Sequence, residues 1–337
     1  MTTEERLAAL ETQIAALVEP PTEYYTSRYS GEEIDKGIDG ALQLGGASTP
    51  QGAIAALGAG VRPNLLVNPF FKINQRGKAS YTGMVPTVDC WNSKSATLTV
   101  QVTEDGVLLS GTGFDYLKNY IESPEQYNGK TITISALVKN PGGQFRINLF
   151  NESKRVSKNF NIPASSDWVI ISGTIHGVQA SSGDKVALLL YPGGGIQSQT
   201  ATAQVMATKV EEGETQTLGY IDSSGNPVLL EHPDPLELLK CQRYFYYANN
   251  ILCPGQIKNS NIYLAMYLPT KMRVIPSMTV KSYGTILNNG VRNVPTTFDS
   301  LRLSGNILHF RTNAPANTAN HTPCVLTDLN AEISAEL

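Results

Sequence analysis

From about residue 63 onward, apolar and polar residues alternate in short runs that stop at turn-forming residues. The runs include SATLTVQVT, GVLLSG, KTITISALVKN, FRINLFNE, DWVIISGTIH, DKVALLLYP and TAQVMATKVEE. Asp105-Gly106, Asn128-Gly129, Gly142-Gly143, Ser182-Gly183 and Gly193–Gly195 separate them. A period of two sends successive side chains to opposite faces, so each run can bury one face only against a second layer. Many short strands with such turns argue for a sandwich or jelly roll. Within KTITISALVKN the inward set is Ile132, Ile134, Ala136 and Val138.

Composition agrees. Of 337 residues, 41% are hydrophobic and only 16% charged, which gives material for real cores beneath a polar, largely uncharged surface. Twenty-nine glycines and nineteen prolines favour turns over long helices. A net charge of −3 argues against a general nucleic-acid binder, which needs a dense cationic face. No apolar run approaches the roughly 20 residues that span a bilayer, so no membrane insertion is expected. The acidic start MTTEERLAAL lacks the basic and apolar regions of a signal peptide, so synthesis in a cytoplasm without export by the usual route is expected. Cys90, Cys241, Cys253 and Cys324 form no metal-ligand spacing and read as reduced, buried thiols.

The chain divides into four segments. In residues 1–19, Leu7, Leu10, Ile14 and Leu17 fall at steps of three, four and three, the seam of a short coiled coil. Two heptads are marginal as a lone helix, so the seam is expected to be covered by copies of itself or by its own domain. Residues 20–62 form a helical connector, with Ser30 and Glu33 at capping-box spacing and Thr49-Pro50 opening a second short helix. Residues 63–232 are the β-sandwich. Residues 233–337 are a smaller C-terminal β head domain, opened by a helix at Pro235 whose buried side is expected to hold Leu236, Leu239 and Tyr244.

No nucleophile motif, phosphate loop, dinucleotide fingerprint or HxxxH spacing occurs, and no cofactor or metal is expected. Arg76 and Asp89 read either as a sugar clamp or as an ion pair tying the first strand to the one before Trp91, with the pair favoured. Trp91 and Trp168 sit inside apolar alternations and read as core aromatics. Tyr116, Tyr120, Tyr191 and Tyr283 stand near turns, where an exposed ring and hydroxyl suit carbohydrate. Asn288, Asn289, Arg292, Asn317, Asn320 and His321, in long polar loops near the far end, are further candidates.

The order of parts resembles tail-fibre or receptor-binding proteins of phages and prophages of Gram-positive bacteria. The carrying stretches are YTSRYSGEEIDKGIDGAL, STPQGAIAALGAGVRPNLLVNPFFKINQRG, VPTVDCWN, YLKNYIESPEQYNGKTITISALVKN, ATKVEEGETQT, ELLKCQRYFYY and YLPTKMRVIPSMTV. The resemblance implies a carbohydrate-binding-module-like sandwich entered by a strand at NLLVNPFFKINQRG. It also implies an elongated homotrimer, a tail or baseplate protein as partner of the N-terminus, and a place on the virion tail. Its target would be host cell-surface polysaccharide, bound without catalysis. The alternatives are a glycan-degrading enzyme on the same scaffold, which needs two carboxylates across a cleft, and a purely structural fibre spacer. The seam alone fits dimers as well as trimers.

Overall fold

The computed structural model describes residues 61–196, 199–231, 234–289, 291–314 and 321–336. The seam residues Leu7, Leu10, Ile14 and Leu17 and both connector helices lie outside them. The chain falls into two compact units, one including Gly219–Leu230 and the other Arg62–Leu218 with Glu231–Leu337. In the first, β12 (Gly219–Ile221) and β13 (Pro227–Leu229) form a hairpin; the strands numbered below these and above them belong to the second.

The earlier strands of the second unit are β1 (Ser80–Thr82), β2 (Asn92–Ser93), β3 (Thr99–Thr103), β4 (Gly106–Thr112), β5 (Leu117–Tyr120) and β6 (Ile132–Asn140). They continue with β7 (Phe145–Asn151), β8 (Val156–Ile162), β9 (Ser165–Ile175), β10 (Val186–Tyr191) and β11 (Thr200–Glu212). They build two antiparallel sheets, one of order β1-β3-β4-β11-β6-β9 and one of order β2-β5-β10-β7-β8. Alternate residues of both sheets meet in one core: Ile132, Ile134, Ala136 and Val138 from β6 against Phe145, Ile147 and Leu149 from β7 and Leu188 and Leu190 from β10. The result is a β-sandwich. Gly106 closes the β3–β4 hairpin at φ 112, and a Cβ there would meet the Val205 carbonyl at 2.2 Å, so the turn requires glycine.

The stretch expected to enter as a strand does not form one. Residues 64–77 run irregularly, because Asn68 and Phe71 adopt φ of 56° and 58°. The Asn68 side chain stabilises that bend by donating to the carbonyls of Ile73 at 2.8 Å and Asp89 at 2.9 Å. Its own carbonyl accepts from the Trp91 indole at 2.9 Å. The Phe71 ring lies 4.7 Å from that of Trp91, and both are fully buried. Trp168 is different: half-buried on edge strand β9, it carries the Lys139 ammonium 4.9 Å above its ring rather than filling the core. Its place on an outward position of an edge strand explains the departure.

Past the hairpin, α1 (Glu237–Gln242) leads to β14 (Phe245–Lys258), β15 (Asn261–Tyr267), β16 (Ser277–Ser282), β17 (Thr285–Asn288), β18 (Val291–Asn293), β19 (Asp299–Ser304), β20 (Ile307–Asn313) and β21 (Pro323–Ser334). They pair in the order β18-β17-β21-β14-β15-β20-β19, with β16 also on β21. Ile257, Ile262, Leu264, Met266, Phe310, Leu326 and Ile333 centre a second core. Of the buried side expected for this helix, Tyr244 just past its end is buried, but Leu236 and Leu239 are exposed and Glu237 and Cys241 are buried in their place. The Glu237 carboxylate accepts the Asn68 amide hydrogen, while Cys241 and Tyr244 pack on Val67 and Cys90. Docking onto the sandwich therefore sets this helix's orientation, not its own apolar pattern.

The same joint engages Gln75 and Arg76. Gln75 Nε2 donates to the Phe245 carbonyl at 2.7 Å and to Asp89 Oδ2 at 2.5 Å. Arg76 lies 3.8 Å from Asp89 Oδ1, 2.5 Å from Glu336 Oε2, and 3.8 Å above the Phe245 ring. Farther along, Glu122 accepts from Arg243 at 2.7 Å and from the Tyr244 hydroxyl.

Candidate functional site

On the five-stranded sheet, the residues between the core positions face away from the core. Cross-strand register aligns them in rows: Asn92, Lys118, Leu189, Asn148 and Asn159; then Tyr120, Ala187, Phe150 and Ser157; then Tyr191, Arg146 and Asn161. Tyr116, one residue before β5, joins this face by stacking on Tyr191 with ring centroids 5.2 Å apart at 42°. The tyrosines expected to be exposed are thus half-buried, because their rings cover one another and the sheet.

At one end of the face, Arg146 lies 5.7 Å from the Tyr191 ring and donates through Nε to Asn161 Oδ1 at 2.8 Å. The loop after β10 closes against it: Gly195 sits at φ 74, and a Cβ there would reach Arg146 Nη1 at 2.2 Å. In the middle, Asn148 Nδ2 donates to Asn159 Oδ1. That leaves Asn148 Oδ1 buried with no hydrogen-bond partner. Such an acceptor costs free energy unless something else satisfies it.

At the other end, Lys118 donates to Glu152 Oε1 and to the Tyr120 hydroxyl. The Tyr120 hydroxyl in turn donates to both Glu152 oxygens at 3.0 Å. Burial raises the Tyr116 and Tyr120 phenols and pushes Tyr191 up to about 12, so all three hydroxyls keep their protons at neutral pH. Burial also lowers Lys118, against the opposing pull of Glu152. The face thus combines flat rings, neutral hydroxyl and amide groups and one guanidinium. It can stack on an apolar ring face and hydrogen-bond around its rim. Its carboxylate, Glu152, is already engaged.

Of the candidates read from sequence, Tyr116, Tyr120 and Tyr191 come together here. Tyr283 belongs to the C-terminal sheet region, where its ring packs 5.3 Å from Phe298. Asn288, Asn289 and Arg292 lie at the β17–β18 hairpin, Asn289 at φ 46 and Arg292 exposed. His321 is exposed at φ 61, its amide donating to the Ile257 carbonyl at 2.6 Å. Asn317 and Asn320 lie outside the described residues. Arg146, Asn148, Asn159, Asn161 and Lys118 escaped the sequence reading. The signal for the arginine and the asparagines is the polar half of the period-two alternation in FRINLFN and VSKNFNI.

No protein-family model matches the chain, and no curated protein matches it. Solved structures that match include carbohydrate-binding modules. One is the CBM22-1–GH10 portion of the Clostridium thermocellum endo-1,4-beta-D-xylanase 10B complexed with xylohexaose: 11% identity, 46% of this chain, 30% of that one, TM-score 0.32. TmCBM61 in complex with beta-1,4-galactotriose gives 8%, 45%, 99% and 0.29. A CBM4 structure gives 15%, 44%, 99% and 0.30.

Proposed function

We propose that this chain is a phage or prophage tail-fibre (receptor-binding) protein that attaches a particle to bacterial cell-surface glycan through the outward face of its five-stranded sheet. The observation that carries the binding is the buried, unpartnered Asn148 Oδ1 set in the row next to Tyr191 and Arg146. A sugar hydroxyl donated to that oxygen would complete it, while Tyr116 and Tyr191 take the C–H face of the ring. Binding without hydrolysis is the reading favoured here, since the Glu152 carboxylate at the end of this face is already held by Lys118 and Tyr120.

The fibre context rests on the order of sequence parts: an N-terminal seam for a homotrimer, a connector to a tail or baseplate protein, and β domains at the far end. Three sites per fibre, and several fibres per particle, turn roughly millimolar contacts into firm attachment. The test is retention of the full chain, and of Tyr191→Ala, on an array of neutral bacterial wall polysaccharides, with light scattering for the oligomer. Retention by the parent and its loss in the variant are expected. Equal retention by both, no retention at all, or a monomer at micromolar concentration would overturn the proposal. Release of reducing ends from a retained glycan would replace it with the depolymerase alternative.

A further inference from the structure

The C-terminal sheet carries a groove of about 640 Å³ over β15, β19 and β20. A bulge shapes it. Asp299 pairs with Arg311 and Arg302 with His309, so Ser300 and Leu301 together oppose one residue of β20. Ser300 adopts φ 55 at that point. Asp299 and Arg302, three apart, would face opposite sides of a regular strand; the bulge turns both to the outward side, alongside Arg311 and His309.

The groove is basic by construction. Arg302, Arg311 and His309 line it, no acid does, and the nearest carboxylate is that of Asp299 at the bulge. That acid is spent on Arg311, at 2.5 Å from its Nε, and Tyr263 also hydrogen-bonds Arg311. Arg302 has no ion-pair partner among the described residues. The Tyr263 ring is 45% exposed on the neighbouring strand, and Ser300 and Ser304 add hydroxyls to the lining.

We infer that this groove is a second binding site, and that it takes an acidic saccharide. Arg302 and His309 meet the anionic group, Arg311 is held in place by Asp299 as a fixed donor, and Tyr263 takes the face of the sugar ring. A carboxylate or a phosphate on the sugar supplies the same charge. The site belongs to a different sheet from the tyrosine face and does not depend on it.

Calorimetric titration of the full chain with trigalacturonate and with a maltotriose phosphate, against neutral maltotriose, tests this. At least one acidic probe should bind with a Kd below about 1 mM at low salt and weaken several-fold as salt screens the charge. Which of the two binds identifies the anionic group. Arg302→Gln, an exposed position, should lose about tenfold in affinity, and Tyr263→Ala should lose binding too. Tyr191→Ala should leave it unchanged. Neutral maltotriose binding as tightly as the acidic probes would overturn the inference. So would unchanged binding by Arg302→Gln, or no binding of either acidic probe at millimolar concentration.

Discussion

Arg76 and Glu336, 260 positions apart in the chain, meet with Nη2 2.5 Å from Oε2 at the joint between the sandwich and the C-terminal sheet. Asp89, on the sandwich side, also faces Arg76 at 3.8 Å. One guanidinium thus lies between two buried carboxylates, and one Glu336 oxygen, Oε1, has no partner. Burial prevails over the attraction of Arg76 and, with the repulsion of Asp89, raises Glu336 to about 7. It raises Asp89 as well.

A pH dependence with a definite sign follows for Glu336. Unfolded, the group titrates near its ordinary value of 4.5; folded, near 7. Between these values the folded chain holds a proton that the unfolded chain has released, so this group lowers stability as pH rises from 4.5 to 7 and adds no further change above 7. The upper bound is about 3 kcal/mol. Glu336→Gln removes the titration. Its melting temperature relative to the parent should therefore climb between pH 4.5 and 7 and then level off; a flat difference across that window would remove Glu336 as the cause.

Trp91→Ala should cost about 3–5 kcal/mol, measured by urea unfolding. The indole is fully buried, stacks on Phe71, and donates to the Asn68 carbonyl that fixes the irregular entry segment. Trp168→Ala, from a half-buried edge position, should cost much less. Equal losses would contradict the burial difference between the two tryptophans.

How legible these parts were in the sequence depends on what each residue answers to. Ile132, Ile134, Ala136 and Val138 follow a period of two, and the sheet needs nothing else to place them in the core. Asn68 and Phe71 sit at positive φ, which residue type signals weakly for asparagine and not at all for phenylalanine, so the segment read as a strand. Leu236 and Leu239 show helical spacing, yet contacts of Glu237 and Cys241 with the sandwich, invisible to local pattern, turn α1 the other way. Within the site, each tyrosine was visible alone. Their assembly with Arg146 and Asn148 required the β10–β7 register, which no local signal carries.

Tyr116→Ala and Tyr191→Ala should each weaken glycan binding about tenfold, close to 1.4 kcal/mol. Because the two rings stack on each other, removing one leaves the other free to reorient, so the double variant should lose less than the product of the single losses. Titration with the glycan retained by the parent protein checks both points. Strictly multiplicative losses would mean that the rings act as separate contacts.

Gly195 offers a way to disturb the proposed site without removing a side chain from it. At φ 74, alanine is strained by about 1 kcal/mol, and its methyl would meet Arg146 Nη1 at 2.2 Å. The guanidinium, at the end of a flexible side chain, is the part that yields, and its approach to Tyr191 and its bond to Asn161 yield with it. Gly195→Ala should therefore lower the melting temperature modestly and reduce glycan affinity several-fold. Against an Arg146→Ala background the same change should cost no further affinity, because the group through which it acts is already gone. A full additional loss in that background would place the effect of Gly195 in the loop itself and leave Arg146 outside the site.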